Sequence, residues 1–411
     1  MNARSESSFP PAEAGRTAEA VALGLVLLTI SWGLLHVGFW SRNQIIDTPV
    51  YQGYGEKVLD GQVPYRDFDV EYPPAALPVF ILPAFADEDD YGSAFELLMW
   101  VCAVAAIVLL AATLSAAGAG RLRLYAAAGF TGVAPLMLGS VILTRYDLWP
   151  AALLAGALAA LVAGRDRLGL GVLGFATAAK VYPAVVLPVA LVWIVRRRGL
   201  REAGVALGVF GAVVAVVLLP FAVLSPGGLA HSVTEQLGRP LQIESFGASL
   251  LLAAHQLGAY EPTVVSTHGS QNLAGTLPDA LATVQTALQA LALATVWILV
   301  ARTRPDRDRL LAGSAAAVAA FVALGKVLSP QFLIWLLPLV PLVAGAAGLA
   351  ASGVLAAAFV TTQIWFPHRY WHVVALEPVG WLVLVRDVFL LVVLGVLVAA
   401  IRRGREARRS A

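Results

Sequence analysis

The sequence predicts an all-α polytopic membrane protein, a bundle of about twelve transmembrane helices with a large first outer loop. Three observations carry this expectation. Of the 411 residues, 59% are hydrophobic and 13% charged, with a mean hydropathy of +0.78, whereas a soluble domain carries roughly 25% charged residues. Many apolar runs reach or approach the ~20 residues needed to cross a bilayer. Finally, 19 of the 28 Lys and Arg fall in six segments that a hairpin threading brings to one side.

The spans are expected near 18–40, 93–117, 121–143, 146–163, 168–180, 183–195, 200–224, 279–301, 309–327, 331–349, 350–365 and 379–401. The first run is too long for a signal-peptide core and has no small-residue cleavage pattern after it, so it reads as a retained span. Residues 1–17 are polar and expected to be disordered; 402–411 form a basic tail. Residues 168–195 read as two short helices, because Pro183 removes a backbone donor and breaks a helix. The single cysteine, Cys102, lies in an apolar run and reads as a small core residue, and no disulfide within the chain is available to it.

Charge sets the orientation. The basic segments are the N-terminal Arg4 and Arg16, "RLR" (121–123), "GRDR" (164–167), "RRRGLR" (196–201), "RTRPDRDR" (302–309) and the C-terminal tail. The positive-inside rule puts them in the cytoplasm, with both termini, in a multi-pass protein of the cell membrane. Three loops then fall outside: 41–92, 225–278 and 366–378. Polar chemistry on those loops faces away from cytosolic nucleotides. The net charge of +2 carries no nucleic-acid signal.

The first outer loop holds "VPYRDFDVEYPPAALPVF" (63–80). Upstream, Thr48 before Pro49 is a helix start and Asp60-Gly61 a stop, and Val50, Tyr54 and Val58 share one face, so a short surface helix is expected. "RDFDVE" alternates, which predicts Asp67, Asp69 and Glu71 on one side of an extended segment. "YPPAALPVFILPAFA" is too short and proline-rich to cross, and is expected to re-enter or lie flat. Asp47 admits two readings: a helix-start cap, or a general base at the lipid–water boundary. Asp67, Asp69 and Glu71 are either a solvated loop face or ligands that need further groups to converge on them.

The stretch "DTPVYQGYGEKVLDGQVPYRDFDVEYPPAALPVF" (47–80) resembles the signature of glycosyltransferase family 87, the polyprenol-phosphate-mannose-dependent mannosyltransferases of the GT-C superfamily. The matching positions are Asp47, Tyr51, Gly61 to Tyr65 and Tyr72-Pro73-Pro74. "AAKVYPAVVLPVAL" (178–191) and "LSPQFLIWLLPL" (328–339) resemble two further stretches of that family. The resemblance implies a GT-C-type bundle with Asp47 as catalytic base. It makes Tyr51, Tyr65, Asp67, Asp69, Glu71 and Tyr72 the acidic and aromatic wall of a sugar site. The implied reaction moves a hexose, in that family mannose, from a polyprenyl-phosphate sugar to a glycolipid or polysaccharide acceptor at the outer membrane face, with inversion and no cofactor or metal.

Nine cations lie outside the basic segments, and an ionisable group in hydrocarbon usually has a partner or a task. Arg145 stands near Asp147 in "TRYDLWP", and Arg386 abuts Asp387, so each is either an internal ion pair or functional. Lys180 and Lys326 have no acid beside them in sequence and are candidates for a phosphate, with snorkelling the alternative for Lys326. In the second outer loop, Arg239, Gln242 and Glu244 precede an apolar stretch and are candidates for substrate contact or for plain loop packing. His368 and His372, four apart in "PHRYWH", lack the further ligands zinc needs. His368 and Arg369, beside Tyr370 and Trp371, read as sugar contacts or as an interfacial aromatic anchor. P-loop, zincin and nucleophile-elbow motifs are absent. The rival class is a transporter or flippase for lipid-linked sugars, which places polar residues at the bilayer midplane in repeated halves.

The charge asymmetry makes a direct prediction. Single cysteines replacing Ser93 and Arg198 are expected to label with an impermeant reagent from the outside and the inside, respectively. Labelling of position 198 from outside overturns the topology.

Overall fold

The computed structural model describes residues 11–41 and 45–403. Most of the two expected tails therefore lies outside the described residues. Residues 11–17, expected as part of the disordered tail, are instead the first turns of α1 (Pro11–Leu34). Proline suits the first helical turn, and "AEAGRTAEA" is rich in helix formers.

The chain continues through α2 (Thr48–Leu59), α3 (Leu77–Ile81), α4 (Tyr91–Ala116), α5 (Arg121–Leu138), α6 (Val141–Thr144), α7 (Leu148–Val162), α8 (Asp166–Ala179), α9 (Leu187–Arg198), α10 (Leu200–Leu224) and α11 (Pro226–Gly238). The second half holds β1 (Leu241–Gln242), α12 (Phe246–Gln256), β2 (Thr263–Thr267), β3 (Ser270–Ala274), α13 (Thr276–Ala301), α14 (Arg307–Ala323), α15 (Gly345–Trp365), α16 (Tyr370–Val374) and α17 (Gly380–Arg403).

Among the described residues six helices are long and apolar enough to cross a membrane: α1, α4, α10, α13, α15 and α17. The other expected spans are shorter. The 168–195 region is two helices, α8 and α9, separated by a 3-10 turn at Tyr182–Val186 that contains Pro183. The span expected at 331–349 is not one helix. It is a pair of 3-10 runs, Pro330–Leu336 and Val340–Leu342, because Pro330, Pro338 and Pro341 each remove a donor from the ladder. Both runs are buried, so neighbouring helices rather than lipid surround their backbone.

Packing follows side-chain size. In a bilayer, helices associate through close fit of small residues. α7 and α14 are Ala-rich and buried on nearly every face, with α7 against α4 and α8 and α14 against α17. α1 meets α5 where a Cβ on Gly132 would sit 2.5 Å from the Gly24 carbonyl oxygen, so only glycine fits there. α10 buries only Ala203 and Ala206 and forms the periphery.

The four internal basic segments, 121–123, 164–167, 196–201 and 302–309, gather at one end of the bundle. Arg123 meets Asp308 at 3.2 Å, Arg196 reaches the Ala301 carbonyl at 2.7 Å, and Arg198 pairs with Asp166 at 2.6 Å. The two large loops gather at the other end. The expected surface helix is present as α2, with its stop at Asp60-Gly61. The proline-rich stretch folds as 3-10 turns around α3, buried against α2, α4 and α8.

Two expectations change here. The fold is not all-α: β1, β3 and β2 form a three-stranded antiparallel sheet within the second loop, pairing Leu241 with Leu273 and Val264 with Leu273. And "RDFDVE" is a tight turn rather than an extended strand. Tyr65 adopts φ +67°, the Asp67 N–H donates to the Val63 carbonyl, and the Asp67 carboxylate accepts from the Val63 N–H at 2.7 Å. That local bond curls the backbone and ties the Asp67 carboxylate to its own turn.

The turn is also where the two loops dock. The Tyr65 carbonyl accepts from Ser225 Oγ at 2.8 Å, and a Cβ on Gly228 would lie 1.8 Å from the same oxygen. Gly228→Ala is therefore expected to separate the loops at a cost of about 1–3 kcal/mol. The check is limited proteolysis: cleavage between residues 61 and 73 should accelerate while the transmembrane spans stay protected.

Candidate active site

Asp47 occupies the residue before α2, the position of a helix cap, but its side chain makes no capping bond. It is instead in ion-pair contact with Arg145 Nη1 and accepts a hydrogen bond from the Tyr51 hydroxyl at 3.4 Å. The cap reading is thus excluded by geometry. Arg145 lies at the corner between α6 and α7 and is buried; its Nη2 donates to the Ile45 carbonyl at 3.1 Å. The guanidinium in contact is a fixed positive neighbour of the Asp47 carboxylate. Asp47 stays 30% exposed on its side chain, so a substrate can reach it.

The sequence placed Arg145 with Asp147; in the structure they remain charge neighbours, but the direct ion pair of Arg145 is with Asp47. Asp147 is fully enclosed and pairs with Lys180, whose Nζ is 2.6 Å from Oδ1. The same oxygen accepts from Trp335 Nε1 at 2.5 Å. Lys180, expected to be free of acids, therefore carries one, brought by folding from 33 residues away. An aromatic wall backs these pairs. Tyr51 stacks on Phe80 with centroids 4.5 Å apart, and Tyr72 meets Tyr146 at 5.0 Å. The Tyr65 hydroxyl donates to the Tyr72 carbonyl at 2.5 Å, which joins the turn to the wall.

Arg239 and Lys326 differ from the other cations in what they touch. Arg239 donates to Ser270 Oγ at 2.9 Å and has a buried Nε without a partner. Lys326 Nζ donates to the Leu237 carbonyl at 3.0 Å. Lys180 and Lys326 both lie close enough to Arg239 for the charges to repel, and Arg145 lies close to Lys180 in the same way. Folding thus gathers four of the sequence candidates, Arg145, Lys180, Arg239 and Lys326, around one region. Glu71 and Tyr72 are also charge neighbours of Arg239.

Glu244 lies beneath this region, buried, with Gln242 donating to its carboxylate. Arg386 Nη2 donates to the Glu244 carbonyl at 2.6 Å and Nε to Asp387 at 2.7 Å, so the expected Arg386–Asp387 pair is present and ties the second loop to α17. Burial pushes the Glu244 carboxyl up to about 7, against the pull of Arg386, Arg145 and Arg239.

Other candidates fall elsewhere. Asp67 is exposed; its hydrogen bonds from Arg66 and then from the Val63 N–H hold its carboxyl down to about 2. Asp69 and Glu71 are exposed too, both as charge neighbours of Tyr54. Among the described residues, no three His, Cys, Asp or Glu gather as metal ligands would. His368 packs on Phe39 at 4.2 Å, Arg369 is exposed, and His372 bonds Glu377 at 2.8 Å. The member of that segment which nears Glu244 and Arg145 is Tyr370. Sequence reasoning left Asp147 only as a partner for Arg145, named Tyr370 only beside His368 and Arg369, and missed Trp335 and Tyr146. Asp147 and Tyr146 stood in "TRYDLWP", and Trp335 inside "LSPQFLIWLLPL".

A membrane-embedded helical bundle with carboxylates and cations collected at one end defines a membrane protein with a polar site at its surface. Residues 71–330, more than half of the chain, match the family model of glycosyltransferase family 87, and the chain belongs to that family. Glu71 to Lys326 lie within the match; Asp47, Tyr51, Tyr65, Asp67 and Asp69 precede it, and His368 and Arg369 follow it. A similar solved structure is the oligosaccharyltransferase of Archaeoglobus fulgidus in the apo form, at 13% identity and a TM-score of 0.46, covering 94% of this chain and 57% of that one. The chain thus spans just over half the length of that protein. No curated protein matches.

Glu244 makes stability pH-dependent. A carboxyl raised from 4.5 to about 7 by folding contributes stability that is fully present below about 4.5 and lost as pH rises through about 7. Glu244→Gln is expected to remove that slope. The wild-type minus Glu244→Gln difference in unfolding free energy, from denaturant titrations, should fall steadily from pH 4.5 to 7.5, by a total of about 3 kcal/mol at most.

Proposed function

We propose that this protein is a glycosyltransferase working at the outer face of the cell membrane, with both termini in the cytoplasm. It moves a hexose, mannose being the first candidate, from a polyprenyl-phosphate sugar to a glycolipid or polysaccharide hydroxyl. The observation that carries the reading is the Asp47 carboxylate: it stands at a helix-cap position, leaves the cap unmade, and lies on Arg145 with part of its surface open. A sugar hydroxyl is a poor nucleophile until its proton is taken, and a part-exposed carboxylate at the mouth of a polar site fits that task.

The step is a single displacement. Asp47 takes the acceptor hydroxyl proton as the oxygen bonds to the anomeric carbon. The bond from that carbon to the phosphate oxygen breaks on the opposite face, and the electron pair leaves with the polyprenyl phosphate. One base and no covalent nucleophile in contact with it favour inversion. Fixed cations stabilise the charge that develops on the phosphate. Arg239 and Lys326 suit this best, because their hydrogen bonds go to Ser270 and to a backbone carbonyl. A monophosphate leaving group can be neutralised by such side chains, without the metal that diphosphates recruit. Tyr51, Tyr65 and Tyr72 on the wall, with Asp69 and Glu71 at its edge, are the proposed sugar contacts. Glu244 supports Arg145 and Arg239 from below.

Purified protein is expected to transfer from a short-chain polyprenyl-phosphate mannose, equally with and without EDTA, and to give an inverted linkage by NMR. Asp47→Asn should lower transfer by 10²–10⁴-fold, the typical cost of losing a general base, while the protein stays folded. Near-normal transfer by Asp47→Asn overturns Asp47 as base. Activity lost in EDTA and restored by Mg²⁺ overturns the metal-free step.

A further inference from the structure

Asp147 is 0% exposed and touches no open surface, so it contacts no substrate. It nevertheless joins three distant segments. Its own segment is the Arg145–Tyr146–Asp147 corner between α6 and α7. Lys180 comes from the break after α8, and Trp335 from the 3-10 run 330–336. Trp335 is held in turn between Tyr182, stacked at 4.1 Å, and Phe332, at 4.0 Å. The Lys180 ammonium lies 4.3 Å from the Tyr146 ring centroid and 5.2 Å from that of Trp335. The Asp147 carboxylate and one face of the Tyr146 ring are thus held by segments distant from Asp47, while Tyr51, which bonds Asp47, packs on the same Tyr146 ring.

We propose that Asp147, Lys180 and Trp335 form a positioning unit that sets the Arg145 guanidinium on Asp47, and that Lys180 is not a phosphate-binding cation. One residue, Tyr146, separates Arg145 and Asp147, and the chain between them has few ways to move once Asp147 is bound at both donors. The Lys180 side chain is 14% exposed, with its ammonium held on a carboxylate whose other oxygen has no partner, so a phosphate that drew it away would strand Asp147. An enclosed carboxylate left unpaired is penalised more heavily than one further phosphate hydrogen bond returns. The donor phosphate is therefore left to Arg239 and Lys326. This inference rests on the reading of Asp47 as the base.

Trp335→Phe tests it most cleanly. Phenylalanine keeps a stacked ring, deletes the Nε1 donor and changes no charge. Any shift in the protonation of Asp47 must then come from a displaced Arg145. Asp147→Asn and Lys180→Met accompany it, and Trp335→Phe decides if those two fail to fold. The first readout is the infrared carboxylate titration of the purified protein, with the Asp47→Asn spectrum subtracted. The Asp47 midpoint is expected to move to higher pH in Trp335→Phe; an unmoved midpoint overturns the proposal whether or not the protein transfers sugar. The second readout is steady-state kinetics with polyprenyl-phosphate mannose from pH 5 to 8. We expect kcat to fall at least tenfold in Lys180→Met, donor KM to stay within twofold, and the acid limb of kcat/KM to move upward. A donor KM raised tenfold with the acid limb in place makes Lys180 a phosphate ligand and overturns the inference. A loss of kcat with neither change reduces the unit to packing and also overturns it. Wild-type protein that transfers from no lipid-linked sugar instead sinks the proposed function, and the infrared arm still decides this one.

Discussion

A charge carried into an apolar bundle must find an opposite charge or a full set of hydrogen bonds, and that constraint organises the site end of this protein. Arg145 answers it with Asp47, Lys180 with Asp147, and Arg386 with Asp387 and the Glu244 carbonyl. Each pairing crosses a boundary between elements or fixes a corner. The first holds the start of the first loop to the α6–α7 corner. The second holds that corner to the break after α8 and to the 330–336 run. The third holds the second loop to α17. Such pairs add little net stability, because desolvation offsets most of the Coulomb gain. Their effect here is geometric: remove one partner and the other has nowhere acceptable to go.

The site follows from what this pairing leaves over. Asp47 keeps part of its surface open although it is paired, because it lies where the loops meet the bundle. Arg239 and Lys326 come from the second loop and from the turn after α14, and they engage neutral oxygens. An open carboxylate on one side and two cations that contact no acid among the described residues on the other are the features on which the proposed deprotonation of a hydroxyl and departure of an anionic leaving group rest. The proline breaks serve the same end. At Tyr182–Val186 and Pro330–Leu336 they stop helices short, so Lys180 and Trp335 sit at corners where side chains converge.

Much was legible along the chain. Long runs of Ala, Leu and Val mark the spans because the bilayer forbids unpaired backbone and leaves helix as the local answer. Thr48-Pro49 and Asp60-Gly61 mark the ends of α2, and Pro183 the break between α8 and α9, since these are backbone rules acting over a few residues. The segment 331–349 misled because hydropathy counts apolar side chains, whereas three prolines decide the backbone. "RDFDVE" misled because alternation describes a strand only if no side chain bonds its own backbone, and Asp67 does. The short β1 at Leu241–Gln242 has no pattern of its own; β3 defines it.

The sequence by itself determined the membrane class, the gathering of the four internal basic segments at one end, the family resemblance at 47–80, and the residues from which the candidate site is built. Each depends on composition or on neighbours within a few positions. Only the tertiary structure decided which charge meets which. Arg145 lies two residues from Asp147 and pairs with Asp47, 98 positions away. Asp147 pairs with a lysine 33 positions on and a tryptophan 188 positions on. Adjacent side chains on a corner point apart, and partners are chosen by which helices close around them. No rule of local spacing carries that information.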